Sequence, residues 1–172
     1  MSWSPIVPYA IMAFVTAQRL AELVIDRRNT ARLLAAGAYE VGARHYPAMV
    51  AMHAAWLAAL WFTVGGLSID LPLLTVFGVL QVLRVWVLAT LGPRWTTRII
   101  VMPGAPLVKR GPFRFLRHPN YTVVTAEIAV LPLVFGLVWV AILFTLLNAA
   151  MLTVRIRAEN RALYGASDAL SA

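Results

Sequence analysis

Two polar clusters in this chain carry residue types able to bind and orient a charged ligand. They are Gly111-Pro-Phe-Arg-Phe-Leu-Arg-His-Pro-Asn-Tyr121 and the stretch Arg155 to Arg161. In the first, His118 precedes Pro119, and proline is favoured in the first turn of a helix. The backbone N–H groups of Asn120 to Thr122 then lie at the positive end of that helix, where they suit a carboxylate. In the second, Arg155 and Glu159 stand four apart, so on a helix they share a face. An arginine there can hold an anionic or polar acceptor, and a carboxylate can hold a cationic cofactor or ribose hydroxyls. Each cluster has a plain alternative: a capped helix start beside an interfacial tyrosine, and a surface ion pair. Their pairing argues for more, because one helical hairpin between them returns both to the same side.

The solvent for that hairpin is a bilayer. Of the 172 residues, 61% are hydrophobic and only 13% charged, against roughly a quarter charged in a soluble domain. Mean hydropathy is +0.78. Five apolar segments can be drawn, at 5–26, 46–66, 71–91, 119–135 and 137–154, most of them near the length that crosses a membrane. Of the 15 lysines and arginines only Arg19 and Arg84 fall inside these segments; the rest sit in the first connection, the third connection and the C-terminus. The positive-inside rule then puts the N-terminus out and the C-terminus in the cytosol. The expected fold is an all-α integral membrane protein of about five transmembrane helices, one membrane domain over 1–172. Its net charge of +8 orients the chain, and nucleic acid is not an expected partner. With no cysteines, disulfides and thiolate chemistry are excluded. The three histidines are widely spaced, so no metal is expected.

Positioning falls to the connections and to a buried layer. The first span reads as ending at Asp26-Arg27-Arg28, followed by a surface helix, Thr30 to Ala36, stopped by Gly37. In the 92–118 connection, Trp95 to Met102 is β-rich and Leu107-Val108-Lys109 could return as its hairpin partner across Pro103-Gly104. Pro132 and Gly136 are expected to kink or end the fourth span. Arg19, His53, Arg84, Glu127 and Asn148 all lie about 11 Å below the inner boundary at 1.5 Å per residue. Ionisable groups in a bilayer need partners and mark a site by default. The expected layer pairs Arg84 with Glu127 and Arg19 with Glu22, and floors a cavity open to the inner face. Its structural alternative is a network that only joins helices. His53 and Glu127 are therefore candidates on the substrate side, with His45 at the mouth of the second span.

The stretch LVKRGPFRFLRHPNY, a membrane hairpin, and then RIRAENRAL together resemble the isoprenylcysteine carboxyl methyltransferase family over roughly residues 76–164. The resemblance implies an integral membrane enzyme that uses S-adenosyl-L-methionine to methylate an oxygen of a lipophilic acceptor. It divides the domain into an acceptor-side part, 1–70, and a methyltransferase-like core, 71–164. Carried over by position, Ala105, Pro106, Leu107 and Val108 line the cofactor and Phe113 takes the place of a tyrosine. His118, Pro119, Asn120 and Tyr121 form the central cofactor segment, Glu159 also binds cofactor, and Arg155 orients the acceptor. Departures from the pattern are the hydroxyl lost at Phe113, Val123 where glycine is common, and Asn160 in place of a second acid. The stretch GAYEVGARHYPAMVAMHAAW is similar to a bacterial branch that methylates phenolic or enolic hydroxyls of alkylresorcinol or alkylpyrone lipids. A phenol loses its proton during transfer, and His45, His118 and Glu159 are the candidate bases. The competing readings are a nicotinamide-dependent membrane reductase of the sterol-reductase type, which has a similar C-terminal hairpin, and a non-catalytic scaffold.

Overall fold

A computed structural model describes residues 6–168, with side chains to residue 162. It is mostly helical: α1 (Ile6–Ala35), α2 (Tyr46–Thr63), α3 (Leu71–Leu91), α4 (Pro119–Val134) and α5 (Val138–Asp168), with two short strands, β1 (Tyr39–Val41) and β2 (Ile99–Val101). Three helical stretches are long and apolar enough to cross a membrane: Ile6–Ala35, Leu71–Arg94 and Val138–Ala162. α2, with 18 residues, and α4, with 16, are shorter.

The helices bury one another along Met12, Trp56, Leu60, Phe77, Ile128, Leu131 and Phe144. Their outer faces stay apolar: Phe62 is 89% and Trp139 82% exposed. A soluble protein does not carry such surface without a partner; for this chain lipid supplies it. α4 packs between α3 and α5. Its last turn ends at Gly136 (φ 72°). Pro132 O accepts from Phe135 N–H at 3.1 Å and from Leu137 N–H at 2.9 Å. Pro132 and Gly136 thus end the helix as expected, and a three-residue link starts α5.

Deep in the bundle four charges close on each other. Glu127 Oε2 accepts from Arg19 Nη2 at 2.7 Å and from Arg84 Nη1 at 2.8 Å, and its Oε1 accepts from Gln81 at 2.9 Å. Glu22 takes Arg19 Nη1 at 3.0 Å, Gln18 at 3.1 Å and both Nε and Nη2 of Arg84. Both expected pairs form, and two crossed pairs close the ring. Two arginines and two glutamates sum to zero, which is how ionised groups remain tolerable away from water. α1, α3 and α4 are pinned at one level. His53 stays outside the ring, with Nδ1 at 2.9 Å from its own helix's Met49 O. Asn148 instead donates to Thr125 Oγ1 at 3.0 Å, tying α5 to α4.

Two expectations are overturned. The first span does not stop at Asp26; α1 runs unbroken to Ala35 and closes on Gly37 (φ 92°), with Ala38 N–H on Leu33 O at 3.0 Å and Gly37 N–H on Leu34 O at 3.1 Å. The separate surface helix is its last turns. The cause is that Asp26 and Asn29 are buried, 2% and 7% exposed, and bonded to the segment after α3. The second correction concerns the sheet. β2 pairs antiparallel with β1, Glu40 opposite Ile100, rather than with Leu107-Val108-Lys109. Arg98 Nη1 donates to both oxygens of Glu40 at 2.9 Å, and its guanidinium lies 4.1 Å over the Tyr46 ring. That charged clamp draws the strand to the chain following α1.

Candidate active site

A cleft of about 380 Å3 opens where α4 begins and α5 extends beyond the bundle, within the size range of small-molecule sites. β2 and the Leu107–Lys109 segment form another wall. Of the residues expected in a site, Ala105, Leu107, Val108, Phe113, His118, Asn120, Tyr121, Arg155 and Glu159 all line it. Pro106 borders an adjoining recess, and Pro119 is buried behind the wall. His45, His53 and Glu127 do not border the cleft, and the four-charge ring does not form its floor. Glu127 is 0% exposed and fully engaged within that ring.

The α4 N-terminus has the expected shape. His118 precedes the helix and Pro119 occupies its first turn. Thr122 N–H is already used, donating to His118 O at 3.1 Å. Two first-turn N–H groups, of Asn120 and Tyr121, remain without an intrahelical acceptor. Beside them Tyr121 Oη donates to Glu159 Oε2 at 2.9 Å, and His118 Nδ1 stands 3.7 Å from the same oxygen. The His118 and Tyr121 rings stack, centroids 5.4 Å apart. Glu159 is therefore oriented by α4, leaving Oε1 for other donors.

Arg155 and Glu159 share a helix face but do not pair. Arg155 turns away from the carboxylate: Nη2 donates to Thr97 O at 2.7 Å, Nη1 lies 2.9 Å from Met49 Sδ, and the guanidinium sits 5.6 Å from the Tyr121 ring centre. It is only 4% exposed, Nε has no acceptor, and no carboxylate lies within ion-pair distance among the described residues. A sulfur and a carbonyl do not neutralise a buried cation. The site holds a positive charge in reserve beside a negative one.

His45 is coupled to this charge from outside the cleft. Burial chiefly, and then the Arg155 cation, hold its imidazole below the usual range, partly opposed by Glu40, so it is neutral at neutral pH. Its ring folds against Gly42 (φ 68°), where a Cβ would lie 2.0 Å from His45 Cε1. A side chain there would have to displace that ring and adopt a left-handed backbone, which favours glycine.

Several residues that build the site were not identified from the sequence. Thr97 is the hub: its O accepts from Arg155, its N–H donates to Asp26 Oδ1 at 2.6 Å, and its Oγ1 lies 3.1 Å from Tyr46 Oη. Asn29 Nδ2 donates to Trp95 O at 2.8 Å and Gly92 O at 3.2 Å, while Trp95 Nε1 reaches Asn120 Oδ1 at 3.5 Å. One signal for this existed: Asp26 and Asn29, three apart, are the helix positions nearest the arginine run that can accept or donate inward. β2 was legible as a strand within Trp95 to Met102, though not its partner; Met49 had no signal, since it reads as ordinary apolar sequence.

A charged cleft at one end of a lipid-facing helical bundle defines a membrane protein with a built polar site, and the comparisons specify its kind. The family model described as Isoprenylcysteine carboxyl methyltransferase (ICMT) family matches residues 73–165. The chain belongs to that family, a family of membrane methyltransferases whose members use S-adenosylmethionine as methyl donor. It is also similar to a protein of Bacillus subtilis (strain 168) named Uncharacterized protein YpbQ, 38% identical over 160 residues, covering 90% of this chain and 95% of that one. No solved structure matches it.

Proposed function

We propose that this protein is an S-adenosylmethionine-dependent O-methyltransferase whose acceptor is a lipophilic molecule with an ionised or ionisable oxygen. The observation that carries this reading is Arg155: a buried guanidinium with no carboxylate partner among the described residues, in the same cleft as Glu159. The donor set fits the cofactor. The Asn120 and Tyr121 N–H groups suit its carboxylate, Glu159 suits its ribose hydroxyls or its positive charge, and the wall of Ala105, Leu107, Val108 and Phe113 suits its apolar parts. When bound, the cofactor supplies an electrophilic methyl group; the acceptor O–C bond forms as the S–C bond breaks, and the sulfonium becomes a neutral thioether.

The chain's own part is positional. Arg155 holds the acceptor oxygen as an anion at short range; such alignment accounts for much of the barrier reduction in a transfer needing no covalent help. Where the acceptor is a phenol or enol, its proton must leave, and of the candidate bases His118 and Glu159 line the cleft while His45 does not. The reading extends to topology: α2 and α4 complete five crossings of a bacterial inner membrane, with the N-terminus out and the cleft facing the cytosol. A phenolic or enolic lipid is favoured as acceptor over a prenylcysteine carboxylate by the resemblance of the 37–56 stretch to the bacterial branch that methylates such hydroxyls.

Direct binding tests it. Calorimetry on folded, detergent-solubilised protein is expected to detect S-adenosylmethionine and S-adenosylhomocysteine and no NADPH. Failure of both adenosyl ligands to bind would overturn the proposal, and NADPH binding alone would establish the reductase reading instead.

A further inference from the structure

Beside the cleft, and sharing Leu91, Arg94 and the Leu107–Lys109 segment with it, is a second recess that adds Thr90, Pro106 and Arg110. Among the described residues three cations border it and no acidic residue does. Arg94 Nη1 donates to Pro106 O at 3.0 Å and Arg110 Nη2 to Thr90 O at 3.4 Å. Both partners are carbonyls, so the charge stays uncompensated, and Arg94, Lys109 and Arg110 form no ion pair among the described residues.

What adjoins this recess distinguishes it from a merely topogenic cluster. Along α3 the side chains of Val79, Val82, Leu83 and Trp86 are 55%, 70%, 36% and 44% exposed, and their spacing of three and four makes one stripe ending at Thr90. The loop carrying the cations is pressed onto that same stripe. A Cβ at Gly111 (φ 56°) would lie 2.6 Å from Thr90 Oγ1 and 3.3 Å from Trp86 Nε1. A cationic recess therefore stands at the head of an apolar, lipid-facing track with an indole at its interface, the position tryptophan favours.

We propose that this recess binds the phosphate of an anionic glycerophospholipid whose acyl chains lie along the Val79–Trp86 stripe. The shared chemistry is a phosphate group, and the source is lipid because the recess is open. Exposed cations hold a free anion weakly in salt, whereas a lipid brings apolar contact and the high local concentration of the membrane.

The test is native mass spectrometry of the full chain released from micelles holding equal phosphatidylglycerol and phosphatidylcholine. Wild type is expected to retain phosphatidylglycerol at least about fivefold over phosphatidylcholine, the scale of one well-placed basic residue near a membrane surface. The double substitution Lys109→Gln and Arg110→Gln is expected to bring the ratio close to one. An equal charge change elsewhere, Arg27→Gln with Arg28→Gln, is expected to leave it unaltered. A second measurement needs no charge variant. Brominated-chain phosphatidylglycerol should quench tryptophan fluorescence beyond brominated phosphatidylcholine, and Trp86→Phe should remove that excess. No lipid preference in wild type, equal loss in both double variants, or displacement of the lipid by millimolar inorganic phosphate would each overturn the proposal.

Discussion

Arg155 and Glu159 show how little spacing alone says about pairing. Four residues apart on one helix, they are placed to neutralise each other, yet each is taken by a different element: Glu159 by Tyr121, Arg155 by Thr97 and Met49. Keeping them apart costs attraction and leaves two opposite charges available to ligands. Arg155→Ala is expected to lower kcat/KM for the acceptor by about 10–100-fold, the range for a hydrogen bond to a charged group. Binding of S-adenosylhomocysteine, measured by calorimetry, should stay within about threefold. The reverse pattern would assign Arg155 to the cofactor.

The elements that hold these residues come from both halves of the chain. The family match covers residues 73–165, but Thr97, which orients Arg155, is fixed from outside that range by Asp26 of α1 and Tyr46 of α2. Asp26→Ala leaves the half-buried Thr97 N–H without its carboxylate acceptor, a loss of about 1–2 kcal/mol. The expected result is a lower unfolding temperature together with a raised acceptor KM, while Asp26→Asn, which keeps an oxygen at that position, restores most of both. A stability loss with unchanged KM would reduce Asp26 to a structural anchor. The continuity of α1 past Arg27 thus helps to build the cleft: a helix that ended at Asp26 would not carry Asn29 to the Trp95 carbonyl.

At the scale of the whole molecule, the charge ring and the cleft are separate devices. Glu127→Gln leaves Arg19 and Arg84 sharing the remaining carboxylate of Glu22, and breaking a buried pair in this way costs about 3–5 kcal/mol. Thermal unfolding in detergent should register that loss, while cofactor affinity of the folded fraction stays near wild type, because Glu127 does not touch the cleft. The absence of cysteine makes topology directly measurable. Single cysteines at Ser68 and Arg114 should label oppositely with an impermeant maleimide on intact cells, Ser68→Cys reacting and Arg114→Cys protected. Labelling of both positions would reject the five-crossing arrangement.

Membrane class, the hairpin of the last two helices, the helix start at His118-Pro119 and the pairs Arg84–Glu127 and Arg19–Glu22 were legible in the residues. They rest on signals local in sequence: apolar run length, a proline after a polar residue, and charges that have to find partners in a bilayer. The cleft residues Ala105, Leu107 and Val108 were reached through family resemblance instead. What folding alone decided is non-local. β2 could have paired with Leu107-Val108-Lys109 by proximity and paired with Tyr39–Val41, because Glu40 and Arg98 meet only once α1 has extended to Ala35. Likewise an arginine and a glutamate four apart read as a pair in any helix. That Arg155 is instead buried and uncompensated depends on Thr97 and Met49 arriving from elsewhere, and no spacing along one helix records that.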